Sequence, residues 1–307
     1  MRLSILCLAV LAAAAQDLRE VEIPASAGGP AQKAMWFDPG GSGPVPLLVA
    51  LHSWSGDYKQ KDANDYASRC AARGWAMVFP DFRGPNLRPE AGGSDAAVSD
   101  VMDALAWAKK QVRVDDSRVY LAGGSGGGYM SLLMAARHPK AWTAVSAWVP
   151  ISDLAAWHGD SVKAKRKYAD DLEKVFGGPP GMSRLEEYRR RSPLFWLGRI
   201  PGVSIEISAG IHDGHAGSVP VRHSLQAFNE LARANEKFGQ AIPEAAIVFM
   251  TDKEKVPEEL GPPPSDASYP KAVLFRREAG PTRVTLFEGG HEVLYDPMFA
   301  WLEKRSR

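Results

Sequence analysis

Short apolar runs alternate with amphipathic segments along most of this chain, and this alternation constrains its fold more than any other feature. The apolar runs at 45–53, 75–82 and 144–151 are typical of strands that are covered on both faces. Segments of helical periodicity, at about 62–73 and 95–110, lie between such runs. Helices that connect neighbouring parallel strands pack on the two faces of the sheet. The sequence therefore predicts an α/β fold with a mostly parallel central sheet and helices on both faces.

Two stretches interrupt this alternation. Residues from about 154 to 197 are helical and charged, whereas those from about 239 to 280 are rich in proline and lysine and contain one short extra strand. Neither stretch has the pattern of an independent domain. We therefore expect a single domain over 16–307, with a helical insertion at about 154–197 and a surface excursion at about 239–280.

The N-terminal segment has the pattern of a secretory signal peptide. Arg2 precedes an apolar run that extends from Leu3 to about Ala15, where small residues precede a polar stretch. The run is too short to span a bilayer, which takes about 20 apolar residues. We therefore expect cleavage after Ala15, export to the periplasm or the extracellular space, and no stable insertion into a membrane.

The charge and the cysteine content limit the partners and the cross-links that this chain can have. The chain has 37 Lys and Arg residues against 36 Asp and Glu, a formal net charge of +1, so no nucleic-acid partner is expected. Without the predicted signal peptide, Cys70 is the only cysteine, so no internal disulfide can form. The sequence indicates neither a cofactor nor a metal ion.

The segment Gly123–Gly127 fits the pattern G-x-S-x-G with Ser125 at its centre. An apolar strand (118–124) precedes the serine and a helical segment (126–139) follows it, which is the setting of a nucleophile held on a strained turn. The backbone amide of Gly126 then lies at a helix N-terminus, where negative charge is stabilised. The pattern therefore predicts that Ser125 is a nucleophile and that Gly126 contributes to an oxyanion hole.

A serine nucleophile requires a base and an acid that orients this base. His291 directly follows the last predicted strand and is the preferred base, although His158, His212 and His215 also remain candidates for the pocket. A metal site at His212-Asp213-Gly214-His215 is the weaker interpretation, because no further ligand at suitable spacing accompanies these residues.

Two aspartates are candidates for the acid. Asp213 follows the predicted strand 203–210 and is preferred, while Asp153 follows the strand 144–151 and is the alternative. Both would lie at the carboxyl edge of the sheet, where either could accept the N–H group of the histidine.

Further site residues are expected in the loop after the strand 45–53 and among the tryptophans. The amide of Trp54 is the preferred second oxyanion donor, with that of Ser53 as the alternative. Trp148 and Trp157 fall near predicted strand ends, where they could stack on a sugar or an aryl group. Packing in the core is the equally plausible role for both rings.

Taken in order, these segments resemble the α/β-hydrolase fold and, specifically, the catalytic domain of the prolyl oligopeptidase family. The matching segments are LHSWSG (51–56), PDFRG (80–84), GGSGGGYM (123–130), Gly210-x-x-Asp213 followed by Val219-Pro220, and GGH (289–291). The resemblance implies a triad of Ser125, Asp213 and His291, with Gly126 and Trp54 lining the oxyanion hole. The sequence departs from the family in one respect, because it leaves no room for the usual N-terminal β-propeller, and we therefore expect a stand-alone domain.

We therefore expect an exported serine hydrolase that cleaves an acyl bond through an acyl-enzyme intermediate. The expected substrate is a small or oligomeric acyl compound, foremost a carboxylic ester such as an acylated carbohydrate or an aryl ester. A serine peptidase acting on short peptides is the alternative, since both reactions use the same residues. A catalytically inactive hydrolase fold that serves as a binding protein is a more remote alternative.

Overall fold

The structure, a computed structural model, describes residues 18–307, so the predicted signal peptide over residues 1–15 lies outside the described residues. Nine strands form one sheet in this part of the chain. They are β1 (Arg19–Ile23), β2 (Gln32–Phe37), β3 (Val45–Leu51), β4 (Ala76–Pro80), β5 (Val114–Gly124), β6 (Ala144–Trp148), β7 (Ile205–Gly210), β8 (Val273–Ala279) and β9 (Thr282–Phe287).

The strands lie in the order β1-β2-β4-β3-β5-β6-β7-β9-β8. The six consecutive strands β4-β3-β5-β6-β7-β9 are all parallel to one another. The first two strands and β8 run antiparallel to the strands beside them. This arrangement confirms the predicted α/β-hydrolase fold with its mostly parallel central sheet.

Ten α-helices connect or flank these strands in the described residues. They are α1 (Asp62–Ala71), α2 (Asp95–Gln111), α3 (Gly126–Arg137), α4 (Leu154–Lys163), α5 (Tyr168–Phe176), α6 (Leu185–Arg191), α7 (Leu194–Leu197), α8 (Arg222–Ala234), α9 (Glu244–Lys253) and α10 (Tyr295–Leu302). No helix within residues 18–307 combines the length and the apolar character needed to cross a membrane.

The central strands are buried on both faces, which explains their continuous apolar sequences. Every residue of β4, β6 and β7 is buried. The one carboxylate in these strands, Glu206, is neutralised, because Arg283 on β9 donates its Nε–H to the Glu206 Oε1 over 3.0 Å. The Ser146 hydroxyl on β6 donates to the other carboxylate oxygen over 2.8 Å. The buried charge is therefore both paired and hydrogen-bonded, as burial requires.

The two interrupting stretches differ in structure. The segment 154–197 holds the four helices α4 to α7, in agreement with its helical pattern. The segment 239–280 holds helix α9 and the edge strand β8, which pairs with β9. The excursion therefore extends the sheet by one strand.

Candidate active site

The turn between β5 and α3 holds Ser125 in a strained conformation. Its φ and ψ angles are 58° and −119°, a region that side-chain-bearing residues rarely occupy. The Ser125 amide donates to the Trp148 carbonyl on the neighbouring strand β6 over 2.9 Å, which fixes the turn against the sheet. The serine side chain therefore projects from a rigid corner above the carboxyl edge of the sheet.

Glycines are required around this turn because backbone passes too close for any side chain. A Cβ atom at Gly123 would overlap with the backbone of Gly127, four residues later. A Cβ atom at Gly126 would overlap with the backbone nitrogen of Trp54. The glycine-rich sequence is thus a packing requirement of the turn, and it brings the loop that carries Trp54 against the start of α3.

The structure brings Ser125, His291 and Asp213 together in one hydrogen-bonded chain. The His291 Nε2 lies 2.8 Å from the Ser125 Oγ, and its Nδ1 lies 2.7 Å from the Asp213 Oδ2. The three residues come from the ends of β5, β9 and β7, which meet at one edge of the sheet. This is the order of nucleophile, base and orienting acid found in serine hydrolases.

The Asp213 carboxylate is held in a fixed orientation. Its side chain is 1% exposed, and its Oδ1 accepts the backbone N–H groups of Gly214 and Val219 over 2.9 and 3.0 Å. Because these two amides occupy Oδ1, the other oxygen remains for His291. The loop 213–219 therefore folds around the carboxylate and aims it at the imidazole.

The alternative acid, Asp153, lies elsewhere and has a structural role. Its side chain caps the N-terminus of α4, where Oδ1 accepts the amides of Ala155 and Ala156 over 2.9 and 3.1 Å. An N-cap of this kind satisfies helix donors that would otherwise lack a partner. In the described residues, no hydrogen bond or ion pair joins Asp153 to His291.

The structure separates the two candidates for the second oxyanion donor. The Ser53 amide already donates to the Gln60 Oε1 over 2.9 Å. Within residues 18–307, the amides of Trp54 and Gly126 donate to no protein acceptor. These two amides lie beside one another next to Ser125, and both remain free for a ligand oxygen.

A cavity of about 330 Å³ opens directly over Ser125. Its wall is formed by Ser53, Asp62, Gly124, Ser125, Val149, Tyr168, His291, Glu292, Val293 and Tyr295. Apart from Ser53, Ser125 and His291, these residues were not expected from the sequence. A weak signal existed for Glu292, Val293 and Tyr295, since they closely follow His291, whereas nothing in the sequence pointed to Tyr168.

The expectation that Trp148 and Trp157 line the substrate pocket is not met. Both rings are completely buried and form no part of the cavity wall. Trp157 packs edge-on against Trp54 with ring centroids 4.9 Å apart, and its indole N–H donates to the Ser218 carbonyl over 2.8 Å. Trp148 stacks against Tyr269 with ring centroids 6.1 Å apart. The two rings thus support the loops of the site from the inside.

The remaining histidine candidates also lie apart from Ser125. His158 pairs with Glu173 over 2.9 Å, and the His215 Nε2 lies 2.7 Å from the Thr251 carbonyl oxygen. His212 lies between two carboxylates, with Nε2 2.6 Å from Glu288 and Nδ1 2.7 Å from Glu254. In the described part of the chain, no group of three or more His, Cys, Asp or Glu side chains has the arrangement of a metal site.

The raised pKa of His212 predicts that the stability of the protein depends on pH. Hydrogen bonds to Glu288 and to Glu254 raise the pKa of His212 above its ordinary value. Because the pKa is raised in the folded protein, the stabilisation by protonated His212 is complete below about pH 6.5, the pKa of an unperturbed histidine. It is lost as the pH rises through the pKa of His212 in the folded protein. We expect His212→Gln to lower the melting temperature by a few degrees at pH 6 and by less at pH 8.5. Melting curves of both proteins across this range test the expectation, and a constant difference would contradict it.

An α/β-hydrolase sheet that carries a serine, a histidine and an aspartate in this geometry is the framework of a serine hydrolase. Residues 63–246, more than half of the chain, match the family described as the prolyl oligopeptidase family. The chain belongs to the prolyl oligopeptidase family. The matched range includes Ser125 and Asp213, and His291 follows it.

Two known proteins have sequences similar to that of this chain. The chain is 23% identical over 220 residues to acylamino-acid-releasing enzyme 1 of Oryza sativa subsp. japonica, a match of 67% of this chain and 27% of that protein. It is 29% identical over 160 residues to dipeptidyl aminopeptidase BIII of Pseudoxanthomonas mexicana, a match of 49% of this chain and 23% of that protein. The chain therefore spans only about a quarter of the length of these relatives.

A solved structure with the same fold is the Pyrococcus horikoshii acylaminoacyl peptidase. It aligns with a TM-score of 0.56 and 18% sequence identity over 72% of this chain and 35% of that chain. At this identity, the likeness establishes the fold and leaves the substrate open.

Proposed function

We propose that this protein is a serine peptidase that cleaves short peptides or related aminoacyl compounds through an acyl-enzyme intermediate. The observation that carries this proposal is the hydrogen-bonded chain from Ser125 through His291 to Asp213, next to two free amides. The names of the relatives favour an amide substrate over the carboxylic ester that the sequence first pointed to.

The first half of the reaction forms the acyl-enzyme. His291 Nε2, 2.8 Å from the Ser125 Oγ, takes the hydroxyl proton as the oxygen attacks the substrate carbonyl. The negative charge on the resulting oxyanion is stabilised by the amides of Gly126 and Trp54, and by the N-terminus of α3. Protonated His291 then gives its proton to the leaving amine, and the bond between carbonyl carbon and nitrogen breaks.

The second half releases the acyl group. A water molecule loses a proton to His291 and attacks the acyl carbonyl, and Ser125 leaves with its proton restored. Asp213 remains ionised and holds the proton of His291 on Nδ1, so that Nε2 is free to act as a base.

The experiment that tests the proposal is covalent labelling with a fluorophosphonate probe. We expect stoichiometric labelling of the wild-type protein, localised to Ser125 by peptide mass spectrometry, and no label on the Ser125→Ala variant. An unlabelled wild-type protein would indicate a binding protein with an inactive hydrolase fold. Labelling at another residue would contradict the assigned nucleophile.

A substrate screen then distinguishes the peptidase from the esterase. Aminoacyl and dipeptidyl p-nitroanilides represent the amide class, while acetyl and feruloyl esters represent the ester class. Because the same triad serves both reactions, the ratio of their kcat/KM values decides between them. We expect the amides to be turned over, and turnover of esters alone would replace the peptidase by the carboxylic ester hydrolase.

We also propose export through the segment 1–15, on the strength of its sequence pattern alone. N-terminal sequencing of the protein recovered from the periplasm or the medium of a bacterial host tests this point. We expect a mature chain that begins at Gln16, after Ala15. Recovery of the uncleaved chain from the cytoplasm would contradict it.

A further inference from the structure

The cavity over Ser125 has an unbalanced charge. Two of its lining residues, Asp62 and Glu292, are acidic, and none is a lysine or an arginine. The other lining side chains that can bind through polar atoms are hydroxyls and His291. A substrate that enters this cavity therefore meets carboxylates and no fixed cation.

The two carboxylates differ in their partners. Glu292 is neutralised, because its Oε1 lies 2.6 Å from the Lys271 ammonium. Asp62 accepts a hydrogen bond over 2.8 Å from the Gln60 side-chain amide and interacts with the Tyr295 hydroxyl, both of which are neutral. In the described residues, no lysine, arginine or histidine nitrogen lies within 4.0 Å of the Asp62 carboxylate. Asp62 is thus the acid of the cavity whose charge has no counterion.

The surroundings of Asp62 make a cationic ligand favourable. Partial burial raises the pKa of this carboxyl group, and the negative charge of Asp65 acts in the same direction. A carboxylate that is partly removed from water and lacks a counterion is stabilised when an ammonium group binds to it. A protonated amine would complete the hydrogen bonding of Asp62 and offset its cost of burial.

Asp62 is also the first residue of α1, where a negative charge stabilises the helix. Asp65 lies in the same first turn and supplies the same stabilisation from outside the cavity. The helix therefore does not require an acid at the position that faces the cavity.

We propose that Asp62 binds a protonated amine of the substrate, so that the site prefers peptides with a free amino group near the scissile bond over N-acylated ones. This inference rests on the proposed function. The amine could be the N-terminal α-amine or the side-chain amine of a lysine, since both present the same ammonium chemistry. The preference would distinguish this chain from an enzyme that acts on N-acylated amino acids.

The test uses peptidyl diphenyl phosphonates, which react with Ser125 whether the natural bond is an ester or an amide. Ser125 Oγ attacks phosphorus and displaces one phenoxide, while His291 takes the serine proton and passes it to the phenoxide, which leaves as phenol. We compare three reagents at pH 7, where an α-amine of pKa about 7.7–8.0 is mostly protonated. They are Ala-Ala phosphonate, N-acetyl-Ala-Ala phosphonate and N-acetyl-Ala-Lys phosphonate.

Asp62→Asn and Asp65→Asn form a matched pair, since each removes one charge from the first turn of α1. For the wild type, we expect at least one amine-bearing reagent to label Ser125 about tenfold or more faster than N-acetyl-Ala-Ala phosphonate. Asp62→Asn should remove this advantage, and Asp65→Asn should preserve it. A purely structural Asp62 would lower the melting temperature without changing the ratio of labelling rates.

The reagents also identify the source of the amine. An advantage confined to Ala-Ala phosphonate indicates an α-amine, and one confined to N-acetyl-Ala-Lys phosphonate indicates a side chain. Equal rates in the wild type, an advantage that survives in Asp62→Asn, or no labelling by either amine-bearing reagent would overturn the inference. None of these results would affect the proposed function, which is tested separately by fluorophosphonate labelling and by the comparison of amide with ester substrates.

Discussion

Asp213→Asn should lower kcat by roughly 10⁴-fold, whereas Asp153→Asn should leave kcat within about twofold of the wild type. The geometry around Asp213 explains the size of the effect. Its Oδ1 accepts two backbone amides, from Gly214 and Val219. The carbonyl oxygen of an introduced asparagine must take that place, which turns the NH₂ group toward His291.

An NH₂ group facing the His291 Nδ1 selects the wrong tautomer of the imidazole. Nδ1 must then accept a hydrogen bond, so the proton moves to Nε2, the atom 2.8 Å from the Ser125 Oγ. An Nε2 that carries a proton cannot remove one from the serine. The loss should therefore appear in kcat and in the rate of fluorophosphonate labelling, with little change in the melting temperature.

Asp153→Asn is the matched control, because asparagine is as good an N-cap as aspartate. Its side-chain oxygen can still accept the amides of Ala155 and Ala156. Comparable losses in the two variants, or a larger loss in Asp153→Asn, would contradict the assignment of Asp213 as the orienting acid.

The fold and the positions of the central residues could be predicted because they depend on local sequence. Each of Ser125, Asp213 and His291 closely follows an apolar strand, and the carboxyl ends of parallel strands share one edge of the sheet. The order of strands in the sheet brings those ends together, so three distant positions could be expected in one place from the strand pattern alone.

The cavity wall could not be predicted, because it depends on contacts between distant segments. Trp148 and Trp157 lie near the site in sequence, but packing against Tyr269 and Trp54 turns both rings inward. Tyr168, which does line the cavity, belongs to the helical insertion. The hydrophobic periodicity of this insertion predicts helices, but it does not indicate where they pack on the sheet.

The sequence also could not decide between the two oxyanion donors, and it did not predict helix α9. The choice between the amides of Ser53 and Trp54 depends on the side chain of Gln60, which occupies the Ser53 amide from seven residues away. Helix α9 was not predicted, because the prolines and lysines of its segment indicate a loop. Its N-terminus follows Pro243, a residue that is compatible with a helix start but not with a helix interior.

Gly126→Ala should lower kcat by roughly 10²- to 10³-fold, the loss that follows when one oxyanion donor is displaced. The new Cβ atom would overlap with the backbone nitrogen and Cα of Trp54 and come close to the carbonyl carbon of Ser53. Because these are backbone atoms, the loop must move away from α3. The Trp54 amide would move with it, and the oxyanion would keep only the Gly126 amide.

Gly159→Ala is the control for the effect of alanine on a helix. Gly159 lies on the exposed face of α4, and an added Cβ would meet no atom within 4 Å beyond its neighbours in the helix backbone. Replacing glycine by alanine inside a helix stabilises the protein by about 0.5–1 kcal/mol, so Gly159→Ala should raise the melting temperature and leave kcat unchanged. Gly159→Ala makes the same replacement without such a contact, so a loss of activity confined to Gly126→Ala is attributed to the contact with the Trp54 loop. Retention of full activity by a folded Gly126→Ala variant would show that the Trp54 amide does not bind the oxyanion.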